Sequence, residues 1–254
     1  MSISPEISVA IISHGQFDLV KRLLWSLHEV DTASILEIII IENDKRAAAE
    51  IEPGMALPIR FFLNDRPKGY AANVNAAFSK ASGGYFCTIN PDIVILQDLF
   101  APLMDDIRNG KGEIVAPAIV DHNGRLQNTA RDLPSPWSLV SHRLMPSRYL
   151  PASVKDLPEH PDWIAGMLLL MTSKLFQSLG GMSERYFLYF EDVEFSTRAR
   201  LAGHRLYLDK QLQIRHDARR RSKRELRYAL WHLSSAFRFF RSDVYRRARR
   251  LNSD

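Results

Sequence analysis

The apolar positions of this chain fall into short runs separated by amphipathic stretches, the rhythm of alternating strands and helices. Ile7-Ser8-Val9-Ala10-Ile11-Ile12 reads as a strand, and 17–27 as a helix whose apolar side is Leu19, Leu23, Leu24 and Leu27. The run 35–41 is apolar on both faces, as strands of a buried parallel sheet are. The alternation continues with a strand at 59–62, a helix over 70–80, a strand at 85–89, a helix over 99–108 and a strand at 113–116. Repeated units of this kind predict an α/β fold: a doubly wound, mostly parallel (mixed) sheet with helices on both faces and its ligand crevice at the carboxyl ends of the strands.

Past residue 118 the rhythm changes. An Asn123-Gly124 turn predicts a hairpin, and 132–161 hold six prolines without a period, which reads as a long surface loop shaping one wall of a pocket. Order resumes with a strand over 163–171, a short helix to Leu179, a helix over 192–202 and two strands at 205–208 and 211–214. In the tail, Leu226, Leu230, Leu233, Phe237, Phe240 and Val244 recur at spacings of four and three, giving a helix with one apolar face and Arg224, Arg227, Arg238 and Arg241 around the rest.

At 254 residues and 46% hydrophobic, the chain can bury a substantial core, which excludes a disordered protein. Cys87 is alone, so no internal disulfide forms and a cytoplasmic location is the simple expectation. The longest apolar run, 163–171, is far short of the roughly 20 residues that span a bilayer. The formal charge of +5 is uneven: 215–250 hold 13 of the 34 Lys and Arg and three acids, leaving 21 basic against 26 acidic residues, a net of −5, elsewhere. Basicity is thus a property of the tail. It suits docking on the domain or on an anionic membrane surface through a basic amphipathic helix. A nucleic-acid-binding module built on the arginines is the reading from another class, but it leaves the acidic cluster near 191 unexplained, and no nucleic acid partner is expected.

That cluster is the densest chemical signal. Gly180-Gly181-Met182-Ser183-Glu184-Arg185-Tyr186-Phe187-Leu188-Tyr189-Phe190-Glu191-Asp192-Val193-Glu194 places a glycine turn, an aromatic run and crowded carboxylates just before a helix, more acid than a cap requires. Four further segments sit where strands end. Ser13-His14-Gly15 follows the first strand, and Glu42-Asn43-Asp44 the second, each either a base or ribose contact or an ordinary turn. Asn64-Asp65-Arg66-Pro67-Lys68-Gly69-Tyr70-Ala71-Ala72-Asn73-Val74-Asn75 sets Arg66 and Lys68 beside a helix start, which suits a diphosphate or is a solvated loop. In Asn90-Pro91-Asp92, Pro91 ends the strand ladder and directs Asp92 outward, to hold a hard cation or to cap a turn; His216 is the best placed second ligand.

Together these segments resemble family 2 glycosyltransferases of the GT-A fold, in particular bacterial rhamnosyltransferases of surface polysaccharide assembly. The likeness runs from Ile7 to about His216. It implies a catalytic domain over 1–216, with a nucleotide-sugar half over 1–118 and an acceptor half over 119–216, and a helical extension over 217–254. It implies donor contacts from Ser13, His14, Glu42, Asn43, Arg66, Lys68, Gly69, Asn73, Asn75 and Asn90. Trp163, Gly166, Gly181 and Tyr189 would line the acceptor side, and Asp92 with His216 would hold Mg²⁺ or Mn²⁺. The chain departs from the family pattern in carrying Asn90 for a first Asp, Glu42-Asn43 for Asp-Asn or Asp-Asp, and Met182-Ser183-Glu184 for Phe-Asp-Glu.

The activity so implied is an inverting transfer from a nucleotide sugar, favoured as dTDP-rhamnose with a UDP-hexose as the alternative, to a saccharide or lipid-linked saccharide. Asp192 would be the base, Glu191 its reserve, and Glu191 and Glu194 would tune it. The reaction would take place in the cytoplasm or at the inner face of the cytoplasmic membrane. A nucleotidyltransferase on a similar sheet would need a glycine-rich basic loop near the start, which Ser13-His14-Gly15-Gln16 does not offer.

Overall fold

The computed structural model describes residues 6–44, 57–144, 150–217 and 226–251. Among these, β1 (Ile7–Ser13), β2 (Ile35–Glu42), β3 (Ile59–Leu63), β4 (Tyr85–Ile89), β5 (Ile93–Ile95), β6 (Ile114–Val120), β9 (Leu168–Thr172) and β10 (Leu206–His216) form one sheet in the order β3-β2-β1-β4-β9-β6-β10-β5. The pairings of β2 with β3, β1 with β2, β1 with β4 and β6 with β10 are parallel. Those of β9 with β4 and β6, and of β5 with β10, are antiparallel.

The two-faced apolar runs follow from this layering. Successive side chains of a strand point to opposite faces. Val9, Ile11, Ile38, Ile40, Cys87 and Ile89 therefore pack toward α1 (Phe17–His28) and α3 (Phe100–Arg108). Ala10, Ile12, Ile39, Ile41 and Phe86 pack toward α2 (Tyr70–Phe78), α5 (Ser173–Ser178) and α6 (Glu191–Leu201). Each such buried aliphatic side chain contributes about 1.5–3 kcal/mol.

Four expectations are corrected. The run 163–171 is two strands: β8 (Trp163–Ile164) pairs with β7 (Ala130–Arg131), the chain turns over 165–167 with Met167 N donating to Ala165 O at 2.8 Å, and only then does β9 begin. The two late strands are one, β10, interrupted by a bulge between Asp209 and Gln213. The proline-rich stretch holds α4 (Pro136–Leu144) and a turn of 3₁₀ helix at Val154–Asp156. The Asn123-Gly124 turn closes on a single bridge from Val120 to Leu126 rather than a ladder.

The tail also differs. It is two helices, α7 (Leu226–Phe240) and α8 (Asp243–Leu251), broken where Ser242 Oγ accepts from Tyr245 N at 3.1 Å. The expected apolar stripe divides: Leu226, Leu230, Leu233 and Phe237 are exposed, at 63–85%, while Phe240 packs on Phe190, Phe239 and Tyr245. α7 is held by its other side instead: Ala236 and Phe239 join Tyr186, Phe190, Val193 and Tyr245 in a third apolar cluster, and the buried Ser235 donates to Leu188 O. Arg224 and the Arg219-Arg220-Arg221 run lie outside the described residues. No described helix is long and apolar enough to cross a membrane.

Candidate active site

Because β9 runs antiparallel to β4 and β6, its start lies at their carboxyl ends. Asn90 N donates to Met167 O at 2.9 Å, which ties the end of β4 to the turn before β9. Gly166 N, in that turn, donates to Asp192 Oδ2 at 2.9 Å, and Val193 N donates to Asp192 Oδ1 at 2.8 Å. A Cβ on residue 166 would lie 3.2 Å from that of Asp192, so glycine allows the close approach.

The sharp entry into α6 aims the carboxylates. Tyr189 (φ 70°) and Phe190 (φ 68°) are both left-handed, a conformation that costs a non-glycine residue about 1–2 kcal/mol. Packing holds them there: the rings of Tyr189 and Phe190 lie 5.3 and 5.4 Å from His232, Phe190 lies 5.6 Å from Phe239, and Ser235 Oγ donates to Leu188 O at 2.9 Å. Phe187 stacks on Trp231 at 4.9 Å. Helix α7 therefore clamps the turn that presents Glu191 and Asp192.

Burial raises the pKa of both carboxyls. For Glu191, burial and then the neighbouring Asp192 charge push it up to about 8, and its buried Oε2 has no hydrogen-bond partner. Asp192 is raised by burial too, but donation from Gly166 N and Val193 N and the charge of Arg131 oppose the rise. Burial thus favours a proton on the pair, while the N–H groups of Gly166 and Val193 favour charge on Asp192. Glu194 is not part of it: its carboxylate pairs with Arg198 at 2.9 Å, correcting its expected tuning role.

Asp92 stands across the crevice. Its Oδ2 lies 3.1 Å from His216 Nε2, while His216 Nδ1 lies 3.0 Å from Gln127 Oε1. Asp92 Oδ1 is buried without a partner. Tyr70 bridges the two sides, its hydroxyl donating to Asn90 Oδ1 at 3.1 Å, with Gly166 O at 3.4 Å. Burial, then the charges of Glu191, Asp192 and Asp92, raise its pKa, so it stays a donor. The orphaned carboxylate oxygen beside an imidazole nitrogen fits a divalent cation. With no group of three or more such ligands among the described residues, the remaining positions fall to phosphate and water.

The expected donor residues divide. Glu42 and Ser13 are buried at strand ends; Glu42 Oε1 accepts from Gly15 N at 2.9 Å and Asp44 N at 2.7 Å, and its Oε2 is buried without a partner. His14 is exposed. Asn43 and Asn73 have their amides in a network that holds the 64–69 loop: Asn43 Nδ2 donates to Lys68 O at 2.8 Å, its Oδ1 accepts from Lys68 N at 2.8 Å and Asn64 Nδ2 at 2.9 Å, and Asn64 Nδ2 reaches Asn73 Oδ1 at 2.6 Å. Asn75 links α2 to the glycine turn, donating to Met182 O and accepting from Met182 N, both at 2.9 Å.

Arg66 and Lys68 line an open groove with Gly69, Asn75 and Phe187; Asp92, Asp192 and His216 are not among its walls. The first N–H of α2 is taken, Tyr70 N donating to Phe187 O at 2.9 Å. On the acceptor side, Trp163 Nε1 donates to Asp132 O at 3.0 Å under the Arg131 guanidinium, whereas Gly181 packs against Asn75 and Phe176. Reading the sequence missed Tyr70, Gln127 and Arg131 as site residues. Arg131 and Gln127 lie in an aperiodic stretch with no local signal, and Tyr70 was read only as a helix start.

Residues 8–175, more than half of the chain, match the family described as Glycosyl transferase family 2, and the chain belongs to that family. It is 23% identical over 248 residues to rhamnosyltransferase WbbL of Escherichia coli, covering 91% of each. It is 30% identical over 135 residues to N-acetylglucosaminyl-diphospho-decaprenol L-rhamnosyltransferase of Mycobacterium tuberculosis, covering 45% of this chain and 40% of that one. Among solved structures, GalNAc-T7 with UDP, GalNAc and Mn²⁺ aligns with a TM-score of 0.63 at 18% identity, over 85% of this chain and 44% of that one. S. aureus TarS 1–349 in complex with UDP-GlcNAc aligns with a TM-score of 0.62 at 13% identity, over 94% and 67%. These likenesses establish the GT-A fold expected from the motifs.

Proposed function

We propose that the protein is an inverting glycosyltransferase that moves rhamnose from dTDP-rhamnose onto a hydroxyl of a saccharide or lipid-linked saccharide during the building of a cell-surface polysaccharide. The rhamnosyl relatives support the sugar. The chemistry rests on one observation: the Asp192 carboxylate is anchored by Gly166 N at 2.9 Å and by Val193 N at 2.8 Å at the entry to α6. Asp192 takes the proton of the acceptor hydroxyl as its oxygen attacks the anomeric carbon, and the bonding pair leaves with the nucleoside diphosphate on the opposite face. One displacement inverts the configuration. Asp92 and His216 would hold the Mg²⁺ or Mn²⁺ that offsets charge on the leaving diphosphate. Glu42 at the end of β2 is a candidate contact for the nucleotide's base or ribose, and Trp163 and Tyr189 for the acceptor. A lipid-linked acceptor would put the reaction at the inner face of the cytoplasmic membrane.

Asp192→Asn should reduce transfer about 10²- to 10⁴-fold, the usual loss for a general base, while the thermal shift caused by the donor persists. Near-normal turnover would remove Asp192 from the base role. A thermal-shift screen of dTDP-rhamnose against UDP-sugars, with and without Mn²⁺, selects the donor. The UDP-hexose alternative draws support from a hexosyltransferase relative of Haloferax volcanii, Agl10, 21% identical over 202 residues.

A further inference from the structure

Helix α7 is apolar on two opposite sides, and one of them covers nothing among the described residues. Ser235, Ala236 and Phe239 face inward, against the turn that carries the catalytic carboxylates. Leu226, Leu230, Leu233 and Phe237 follow one another at spacings of four, three and four, which at 100° per residue stacks them in a single stripe on the outward side, 63–85% exposed. Four large apolar side chains in a row are more than scattered surface residues account for.

The surroundings of the stripe say what covers it. Seven arginines between 227 and 250 are exposed, and Asp243 is the one acid of the described residues in α7 and α8. Arg227 and Arg241 flank the stripe, the guanidinium of Arg241 lying 5.2 Å from the Phe237 ring. Leu251, at the end of the arginine-rich α8, is exposed as well. An apolar strip bordered by guanidinium groups complements the boundary between headgroups and acyl chains of an anionic bilayer, where leucine and phenylalanine enter the hydrocarbon and arginine pairs with phosphate. A second copy of this chain would bring the same positive surface against itself, which like-charge repulsion opposes.

We propose that the outward face of α7 docks this protein in the plane of an anionic lipid surface through Leu226, Leu230, Leu233 and Phe237, with the flanking arginines on lipid phosphates. The docking stands apart from the donor and acceptor proposed above, because binding to lipid alone reads it. Since the inward face of the same helix holds the Phe187–Phe190 turn, a docked helix would fix the catalytic crevice at a set height above the headgroups.

Sedimentation of the full chain with vesicles of phosphatidylethanolamine and phosphatidylglycerol, against vesicles of phosphatidylcholine alone, tests this. The chain should pellet with the anionic vesicles and release as salt is raised. Leu230→Gln/Leu233→Gln/Phe237→Gln should lower partitioning at least about tenfold with an unchanged melting temperature, because these side chains support no packing. Arg227→Gln/Arg241→Gln should weaken binding and flatten its salt dependence. Equal pelleting of the wild type and the triple variant, or no pelleting with anionic vesicles, would overturn the proposal. So would a wild type that is dimeric without lipid and a triple variant that is monomeric, which would make the stripe a self-association face.

Discussion

Glu191 and Asp192 are neighbouring carboxyls whose pKa values burial raises together, and they differ in the hydrogen bonding around each. Asp192 receives two backbone N–H groups; Glu191 Oε2 receives none. Burial lifts the Glu191 pKa from 4.5 to about 8. Between those values the unfolded chain has released this proton while the folded chain keeps it, so stability falls as pH rises across the window and levels off above it. Glu191→Gln removes the titration. Subtracting its denaturation midpoints from those of the wild type should give a difference that moves against the wild type from pH 4.5 to about 8; a flat difference would mean Glu191 ionises normally. Because glutamine resembles the protonated form, transfer near pH 7 should survive in this variant, and its loss would hand the base role to Glu191. The acid limb of the pH–rate profile should lie above the range of an ordinary aspartate, since burial is the leading influence on Asp192.

At the scale of elements, what could be read from the sequence was whatever has a period. The strands of 7–12, 35–41 and 85–89 and the helices between them stand where the apolar pattern put them, because two-sided burial leaves a run no alternative. The motif positions at strand ends were legible for the same reason. The break at Ala165-Gly166-Met167 was not, since an apolar run shows how much is buried but not where the chain changes sheets. Which face of α7 packs on the domain was not legible either: the regular Leu and Phe stripe is the conspicuous one, yet the more mixed face docks, where Trp231, His232 and Ser235 do the holding. The family resemblance implied Asn75 as a donor contact; in the structure its amide hydrogen-bonds to Met182 and Glu184 within the fold. Asn75→Ala strands the Met182 N–H and C=O, so it should cost about 1–3 kcal/mol in urea unfolding. A cost below about 0.5 kcal/mol would show that other groups take up those hydrogen bonds.

Over the whole molecule, the catalytic turn belongs to a small third cluster rather than to either main layer. Phe239 is fully buried there, between the turn and α8. Phe239→Ala should therefore cost about 3–5 kcal/mol locally and abolish transfer, while nucleotide-induced thermal shift, which on the proposed donor site would depend on the strand ends of the first half, is retained. Joint loss of both would show that the cluster and the sheet unfold as one. The position of the clamp also sets an order in time. Synthesis proceeds from the amino end, so β1 through β10 leave the ribosome before α7, and the left-handed Tyr189-Phe190 pair lacks the His232 and Phe239 rings packed on it until α7 arrives. The nascent chain can complete its sheet before that packing forms, so on the proposed mechanism the Asp192 base is held in place only once α7, with its exposed Leu and Phe stripe, has emerged.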